Sequence, residues 1–590
     1  MDKRTLLAII LSVIVITIGF TIQSILYPPV TPETATTESN QGSQGADSSE
    51  VQERSDENSG EVNASQDVSQ GFIALGDDPG STSPVSFSDG AVYEGVIDPV
   101  GASLISFKLL EHRDGEDPVD ILYDDGSDLV GLRTRFGGWN GQDMNVPFHR
   151  QASTDPGVLR FYRDFAPNND PEKAFRITKS YHFYPEEYMF ELTVEIENIA
   201  EPSKIPPIQI ADNSYSVVVT PQIGPRITAL GSARQRGVDY RRFMAYTGDK
   251  RIELKNSNPG SPEVREDRFT WVAVDGKYFS LAVIPGNAEF SSVFSTEQTK
   301  DGLQGNAVAL ERAPLSGSKQ IDTYRIYAGP KKPETLKQYN LPQNNELGLR
   351  GLDLDVLVDG GMLTWLENIL KEGLKLFYYI IPNWGVAIIL LTILVKLLFY
   401  PLTKKSLEST RKMQEFAPQL KEIQEKHKDN PQKAQQAQAE FYKKNGLNPL
   451  GGCLPILIQF PFFIAMYGLF NNHFDLRGAM FIPGWITDLS TADTILNFGF
   501  TIPILGWSEL HLLPFIYLAS QLLYGKITQN PGQGAAGGKQ AKMMMFALPI
   551  VFFFVLYNVP SGLLVYWISQ NIVTMVQQIW VNKHPKKKKA

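Results

Sequence analysis

A single cysteine, Cys453, stands among the 590 residues. Its isolation excludes an intrachain disulfide, a four-cysteine zinc site, a C-x-x-C redox pair and, because it lies far from the N-terminus, a lipid-attachment box. Histidine is nearly as scarce. The seven present (His112, His149, His182, His427, His473, His511 and His584) are scattered, with no H-E-x-x-H spacing, and no G-x-S-x-G elbow offers a serine nucleophile. The Gly-rich stretch ending at Lys539 fails as a phosphate-binding loop, because Gln533 occupies the first glycine position and Gln540 replaces the Ser/Thr. Carboxylates are plentiful but fall mostly on the polar positions of alternating strands. No catalytic residue, metal site or cofactor is expected, and the chain reads as a non-enzyme.

What the sequence does have is a lopsided charge and long apolar runs. Residues 27–358 hold 50 Asp and Glu against 31 Lys and Arg, a net of −19, whereas the other 258 residues hold 14 against 24, a net of +10. Leu6 to Leu26 is a 21-residue run broken only by Ser12, Thr17, Thr21, Gln23 and Ser24, and about 20 apolar residues are what a helix needs to cross ~30 Å of hydrocarbon. A signal peptide is the other reading, but the length of the run and Tyr27-Pro28-Pro29 in place of a small-x-small cleavage site favour an uncleaved anchor. Further runs at Phe377 to Tyr400, Leu454 to Phe470, Leu510 to Tyr524, Met543 to Leu556 and Leu563 to Trp580 bring the expected spans to six. The fourth and fifth are short, and each alone is open to a re-entrant reading. Loop 401–450 carries ten bases, loop 525–542 three and the tail five, whereas the opposite loops hold Arg477 alone. The excess of Lys and Arg on cytoplasmic loops then puts both termini in the cytoplasm and residues 27–376 outside.

Residues 27–82 are mostly small and polar, a composition that buries too little apolar surface to order itself, and read as a disordered linker. Period-two alternation then runs over 83–340, which reads as a large all-β sandwich. Its clearest strand is Met189 to Asn198; another, Arg268 to Val274, reaches Asp275-Gly276, a tight-turn signal, and returns as Lys277 to Ile284. Residues 341–376 form a connector ending in an amphipathic helix, with Leu366, Ile369, Leu370, Leu374 and Phe377 on one stripe, suited either to the headgroup plane or to the first turns of the next span. Residues 377–582 read as a five-helix membrane core, and 583–590 as a basic cytoplasmic tail. Within the core, 402–445 has the pattern of two short antiparallel helices broken at Asn430-Pro431. The fold class is thus a multi-domain membrane protein: a polytopic α-helical core of six transmembrane helices plus the β-sandwich.

One ionisable side chain, Lys396, lies between Lys375 and Lys404. A lysine in hydrocarbon needs a partner, a water-filled cavity or a route to the interface, and Pro401 is close enough for snorkelling. Thr392 one turn earlier, Gln459 in the third span, and Ser569, Gln570 and Asn571 in the sixth suggest the other reading, a polar groove inside the bundle.

Asn383-Trp384-Gly385, Tyr400-Pro401-Leu402-Thr403, Asn448-Pro449-Leu450-Gly451-Gly452-Cys453-Leu454-Pro455 leading to Gln459 and Pro461, and Pro560-Ser561-Gly562 occur in this order. In these motifs the chain resembles the YidC/oxidase-assembly/chloroplast insertase family. Trp271-Val272-Ala273, Lys277-Tyr278-Phe279 and Tyr327-Ala328-Gly329-Pro330-Lys331 extend the resemblance to the Gram-negative form with a large periplasmic domain. The resemblance implies an inner-membrane insertase and chaperone of nascent membrane proteins, working alone or with the Sec translocon and without nucleotide hydrolysis. It implies a substrate groove at Lys396, Thr392, Gln459, Ser569 and Gln570. Phe460, Phe463, Tyr566 and Trp567 then form an apolar slide for the nascent span, or are plain packing and lipid-facing positions. The cytoplasmic hairpin and basic tail would meet the ribosome or anionic lipids. Two departures stand out: Lys396 replaces the arginine usual in the family, keeping charge but losing the guanidinium fork, and Thr491 to Glu509 is longer than the matching loop of many relatives. Two other function classes are a transporter or channel, for which internal repeats are missing, and an anchored carbohydrate-binding β-domain.

Overall fold

The computed structural model describes residues 71–584 except 77–79, 81, 115–116, 123–130, 169, 171, 201–212, 221–240, 255–261, 287–289, 299–303, 315–317, 359–362, 428–429, 448–453, 503–506 and 529–548. The expected anchor at 6–26, nearly all of the linker, the motif at 448–453, the basic loop at 529–542 and the lysines at 586–589 lie outside the described residues.

Alternation of apolar and charged residues builds the first part of the chain into two ten-stranded antiparallel sheets around a shared apolar core. In the first sheet, Val158–Pro167, Phe175–Phe183, Met189–Asn198, Lys319–Pro330 and Phe279–Pro285 lie side by side in that order. Along Met189–Asn198, Phe190, Leu192, Val194 and Ile196 are buried, while Glu191 faces outward and accepts a hydrogen bond from Arg325 Nε on the neighbouring strand at 2.9 Å. The second sheet closes the core from the other side with Leu104, Phe107, Leu132, Phe136, Tyr215, Phe294 and Leu310.

The expected hairpin forms, but with a longer loop than an Asp-Gly turn: Trp271–Asp275 pairs with Phe279–Pro285 through Asp275↔Ser280, and the Gly276 N–H donates to the Phe279 carbonyl at 2.9 Å. Asp275 is unavailable for a two-residue turn because its carboxylate points inward. It is fully buried between Arg242 at 2.8 Å and Lys331 at 2.9 Å, and a buried charge must be paired in this way.

From residue 364 the chain turns helical. The helices are α1 (Thr364–Ile380), α2 (Trp384–Leu398), α3 (Tyr400–Glu415), α4 (Ala417–Lys426), α5 (Pro431–Lys444), α6 (Leu454–Asn472), α7 (Leu513–Thr528), α8 (549–555) and α9 (Ser561–Lys583). On α1, Leu366, Leu370 and Leu374 are buried, but Ile369, expected on the same stripe, is 60% exposed. The run expected from Phe377 is not one helix. Pro382 cannot continue α1 and forces Ile381 into an extended conformation, after which the chain restarts at Trp384. The first arm of the expected cytoplasmic hairpin is likewise two helices, α3 and α4, parted at Phe416 just before Ala417-Pro418. In α5, Pro431 occupies the first turn and Asn430 Oδ1 accepts from the Lys433 N–H at 3.1 Å. Residues 422–447 belong to a compact unit separate from the one containing 68–421 and 448–590.

Among the described residues, no helix is long and apolar enough to cross a membrane. α2, for example, has 15 residues, about 22 Å at ~1.5 Å each.

Within the larger unit, the loop after α6 reaches the β-domain. The Phe474 ring sits 5.0 Å from His112, 5.5 Å from Phe279 and 6.0 Å from Tyr278, with the Lys332 ammonium 4.8 Å from its centre. Arg477 donates to the Arg113 carbonyl at 2.7 Å, and Lys371 of α1 pairs with Glu334 at 3.2 Å.

Candidate functional site

Two motifs hold the helices that carry the candidate residues. At the start of α2, Asn383 Oδ1 caps the helix by accepting from the Val386 N–H at 3.0 Å, while its Nδ2 donates to the Phe481 carbonyl at 3.1 Å. Trp384 stacks on Tyr378 at 4.2 Å and meets the edge of His473 at 5.6 Å. Gly385 must lack a side chain because a Cβ would lie 2.0 Å from the Phe481 ring. At the start of α9, the Ser561 hydroxyl donates to the Thr491 carbonyl at 2.7 Å and the Gly562 N–H to the Leu489 carbonyl at 2.9 Å. Both helices are therefore fixed against the same segment, 481–491.

So fixed, α2 presents Thr392 and Lys396, one turn apart and buried, while α9 presents Tyr566 and Gln570, also one turn apart. These four, with Val395, Phe399 and Phe462, line a small cavity of about 10 Å³, room for roughly one water molecule. Phe399 and Phe462 meet edge to face at 4.9 Å across it. Lys396 is 6% exposed.

Of the expected groove residues, the structure brings Lys396, Thr392 and Gln570 together. Ser569 is buried on the same helix outside the lining, with its hydroxyl bonded to the Val565 carbonyl at 2.7 Å. The Thr392 hydroxyl is likewise used within its own helix, on the Ile388 carbonyl at 2.7 Å. The Gln459 side chain lies outside the described residues. Asn571 turns away and donates to Ser520 of α7 at 2.9 Å.

The four aromatics divide. Phe460, Phe463 and Trp567 form one strip, with ring centres 6.3 Å apart for the first pair and 5.1 Å for the second, and Tyr517 of α7 extends it at 5.5 Å from Trp567. Tyr566 faces the other way, buried and lining the cavity. Sequence reasoning missed Phe399, Phe462 and Tyr517, because one more apolar residue in an apolar run carries no periodic signal. Among the described residues, no group of three His, Cys, Asp or Glu could hold a metal ion.

A β-rich domain followed by an apolar helical bundle with a buried lysine at a small cavity defines a class: an apolar helical core carrying a large accessory β-domain. Comparison with known proteins makes the class specific. The profile of the YidC periplasmic domain matches residues 89–372, and that of the 60Kd inner membrane protein matches residues 376–589. A membrane protein insertase YidC from Treponema denticola is 41% identical, over 82% of this chain and 84% of its own length. One from Treponema pallidum is 35% identical, over 83% of each. A crystal structure of an active YidC insertase with its first transmembrane domain resolved aligns over 87% of this chain and 95% of its own, at 15% identity and a TM-score of 0.34. The chain belongs to the YidC family of inner-membrane protein insertases.

Proposed function

We propose that this chain inserts and helps to fold nascent membrane proteins in the inner membrane by way of the Lys396 cavity, alone or beside the Sec translocon and without nucleotide hydrolysis. The observation that carries the reading is Lys396 itself: a buried ammonium beside a cavity, with no carboxylate at ion-pair distance among the described residues. Burying a charge without a partner is costly. An acidic residue in the leading segment of a substrate relieves that cost and is relieved in turn, so the site lowers the barrier for a short polar segment entering part-way.

The remaining step needs no fuel. Once the polar segment is accommodated, the hydrophobic span of the substrate partitions sideways into lipid, and its burial in the bilayer drives the reaction. The strip of Phe460, Phe463 and Trp567 beside the cavity offers an apolar track for that exit, and Lys396, Thr392 and Gln570 make up the polar side. In this reading the apolar runs at 6–26, 377–400, 454–470, 510–524, 543–556 and 563–580 cross the membrane, each helix completed by the residues that flank it, both termini are cytoplasmic, residues 27–376 are periplasmic, and α1 lies at the outer surface. Helices α3 to α5 and the lysine tail then meet the ribosome or anionic lipid.

The test is insertion of a small single-span protein into liposomes holding only the purified chain, scored by protease protection in the absence of nucleotide. Protection is expected. Solute flux through the same liposomes without any insertion overturns the reading in favour of a channel.

A further inference from the structure

The strands Thr494–Ile502 and Trp507–His511 pair through Asn497↔Glu509 and Ile502↔Trp507 as a β-hairpin. Its base is firmly held. Asp493 Oδ2 accepts from the Leu512 and Leu513 N–H groups at 2.9 and 2.8 Å and from Trp485 Nε1 at 3.0 Å. The Tyr557 hydroxyl donates to the Glu509 carbonyl at 3.0 Å and accepts from the His511 N–H at 3.3 Å.

Its arms are apolar and uncovered. Ile495, Leu496 and Phe500 are 45%, 54% and 63% exposed. Glu509 is the only acidic or basic residue between Thr494 and Leu510, and Thr494 Oγ1 binds it at 2.7 Å. A two-stranded ribbon of this kind is marginal in water, and its open edges invite aggregation.

The hairpin is continuous with the exposed apolar face of α8. Trp507 lies flat on Tyr557, with centres 3.7 Å apart and planes 4° apart, and stacks at 5.9 Å on Phe554 of α8, itself exposed beside Val551 and Val555. Tryptophan and tyrosine at the end of an apolar exposed helix are the residues that settle at the headgroup boundary. We propose that the hairpin lies in the outer leaflet of the bilayer as a monotopic β-ribbon, anchoring the external ends of α7 and α8 to the lipid surface. The inference rests on the reading of α8 as part of a span.

The test uses the full chain with Cys453→Ser, a single new cysteine carrying an environment-sensitive fluorophore, and phosphatidylethanolamine–phosphatidylglycerol vesicles containing nitroxide lipids. The label goes in turn on Phe500→Cys, Ile495→Cys, Phe552→Cys of α8 and Val264→Cys of the β-domain. Labels at 500 and 495 are expected to emit blue-shifted light and to lose intensity most to a nitroxide near the headgroup. The label at 552 should lose most to one deep in the chains, and that at 264 should respond to neither. Aqueous emission at 500 and 495 with quenching at 552 overturns the hairpin proposal alone. Blue-shifted emission without quenching at 500 and 495 means that protein covers the ribbon and overturns it too. Absence of quenching at 552 as well takes the membrane reading of α8 with it.

Discussion

The rings of Phe463 on α6 and Trp567 on α9 lie parallel, 5.1 Å between centres and 5° between planes. The stack joins the two helices beside the cavity and leaves Phe460 exposed at its end. If this strip guides the nascent span, photo-crosslinkers at 463 and 567 should capture the same substrate segment on stalled ribosomes. A crosslinker at Ile572, exposed elsewhere on α9, should capture less. Absence of contact at both aromatic sites leaves the stack as packing, worth ~0.5–1.5 kcal/mol to the fold.

Charge reversal at Lys396 should separate substrates. Lys396→Glu is expected to slow insertion of proteins with acidic leading segments on the order of tenfold, equivalent to ~1.4 kcal/mol, while Lys396→Arg keeps the charge and stays near the parent rate. Substrates with neutral leading segments should be affected less. Equal, parent-like insertion by both variants rules out charge attraction at this position.

Gly385→Ala should destabilise the helical bundle. The new methyl would sit 2.0 Å from the Phe481 ring and 2.7 Å from its Cβ, and overpacking of this kind costs ~1–3 kcal/mol. A drop in melting temperature of the purified protein should be recovered, in part, by adding Phe481→Ala.

Docking of Phe474 on the β-domain should weaken in acid. Burial, reinforced by the positive charges of Lys332 and Arg477, pushes the His112 imidazole from its usual 6.5 down to about 3. The unfolded chain therefore takes up the proton first, so the contribution of neutral His112 is complete above pH 6.5 and is lost as pH falls toward 3. The melting temperature should decline over that window, and His112→Leu should flatten that part of the profile.

Legibility followed periodicity and contrast. Met189–Asn198 was readable to the residue because period-two alternation separates buried from exposed positions. Lys396 stood out because it is the one ionisable side chain between Lys375 and Lys404. Its cavity partners Phe399 and Phe462 did not, since hydrophobicity alone cannot say which face of an apolar helix looks inward. The break between α3 and α4 did have a signal, Pro418 with its restriction on the preceding residue, but the stronger breaker Asn430-Pro431 was the one read. Phe474 was an aromatic in a polar loop, a contrast that points to burial without naming a partner 362 positions away at His112. The hairpin at 494–511 was visible only as extra length.

The lodging of Phe474 in the β-domain also determines where α6 can bend. Its C-terminal end is clamped two residues beyond Asn472, so the helix can neither slide along its axis nor rotate without drawing an aromatic ring from its seat. At the other end, Pro461 removes the N–H that would have bonded the Leu457 carbonyl. Compliance is thus confined to residues 454–461, the half expected toward the cytoplasm. Amide exchange should be faster there than over 462–472, and uniform exchange along α6 would show that the rod is equally stiff throughout. The β-domain, on this view, acts as an abutment: it holds the Asn472 end of α6 still and leaves the Leu454 end as the part of the helix that yields.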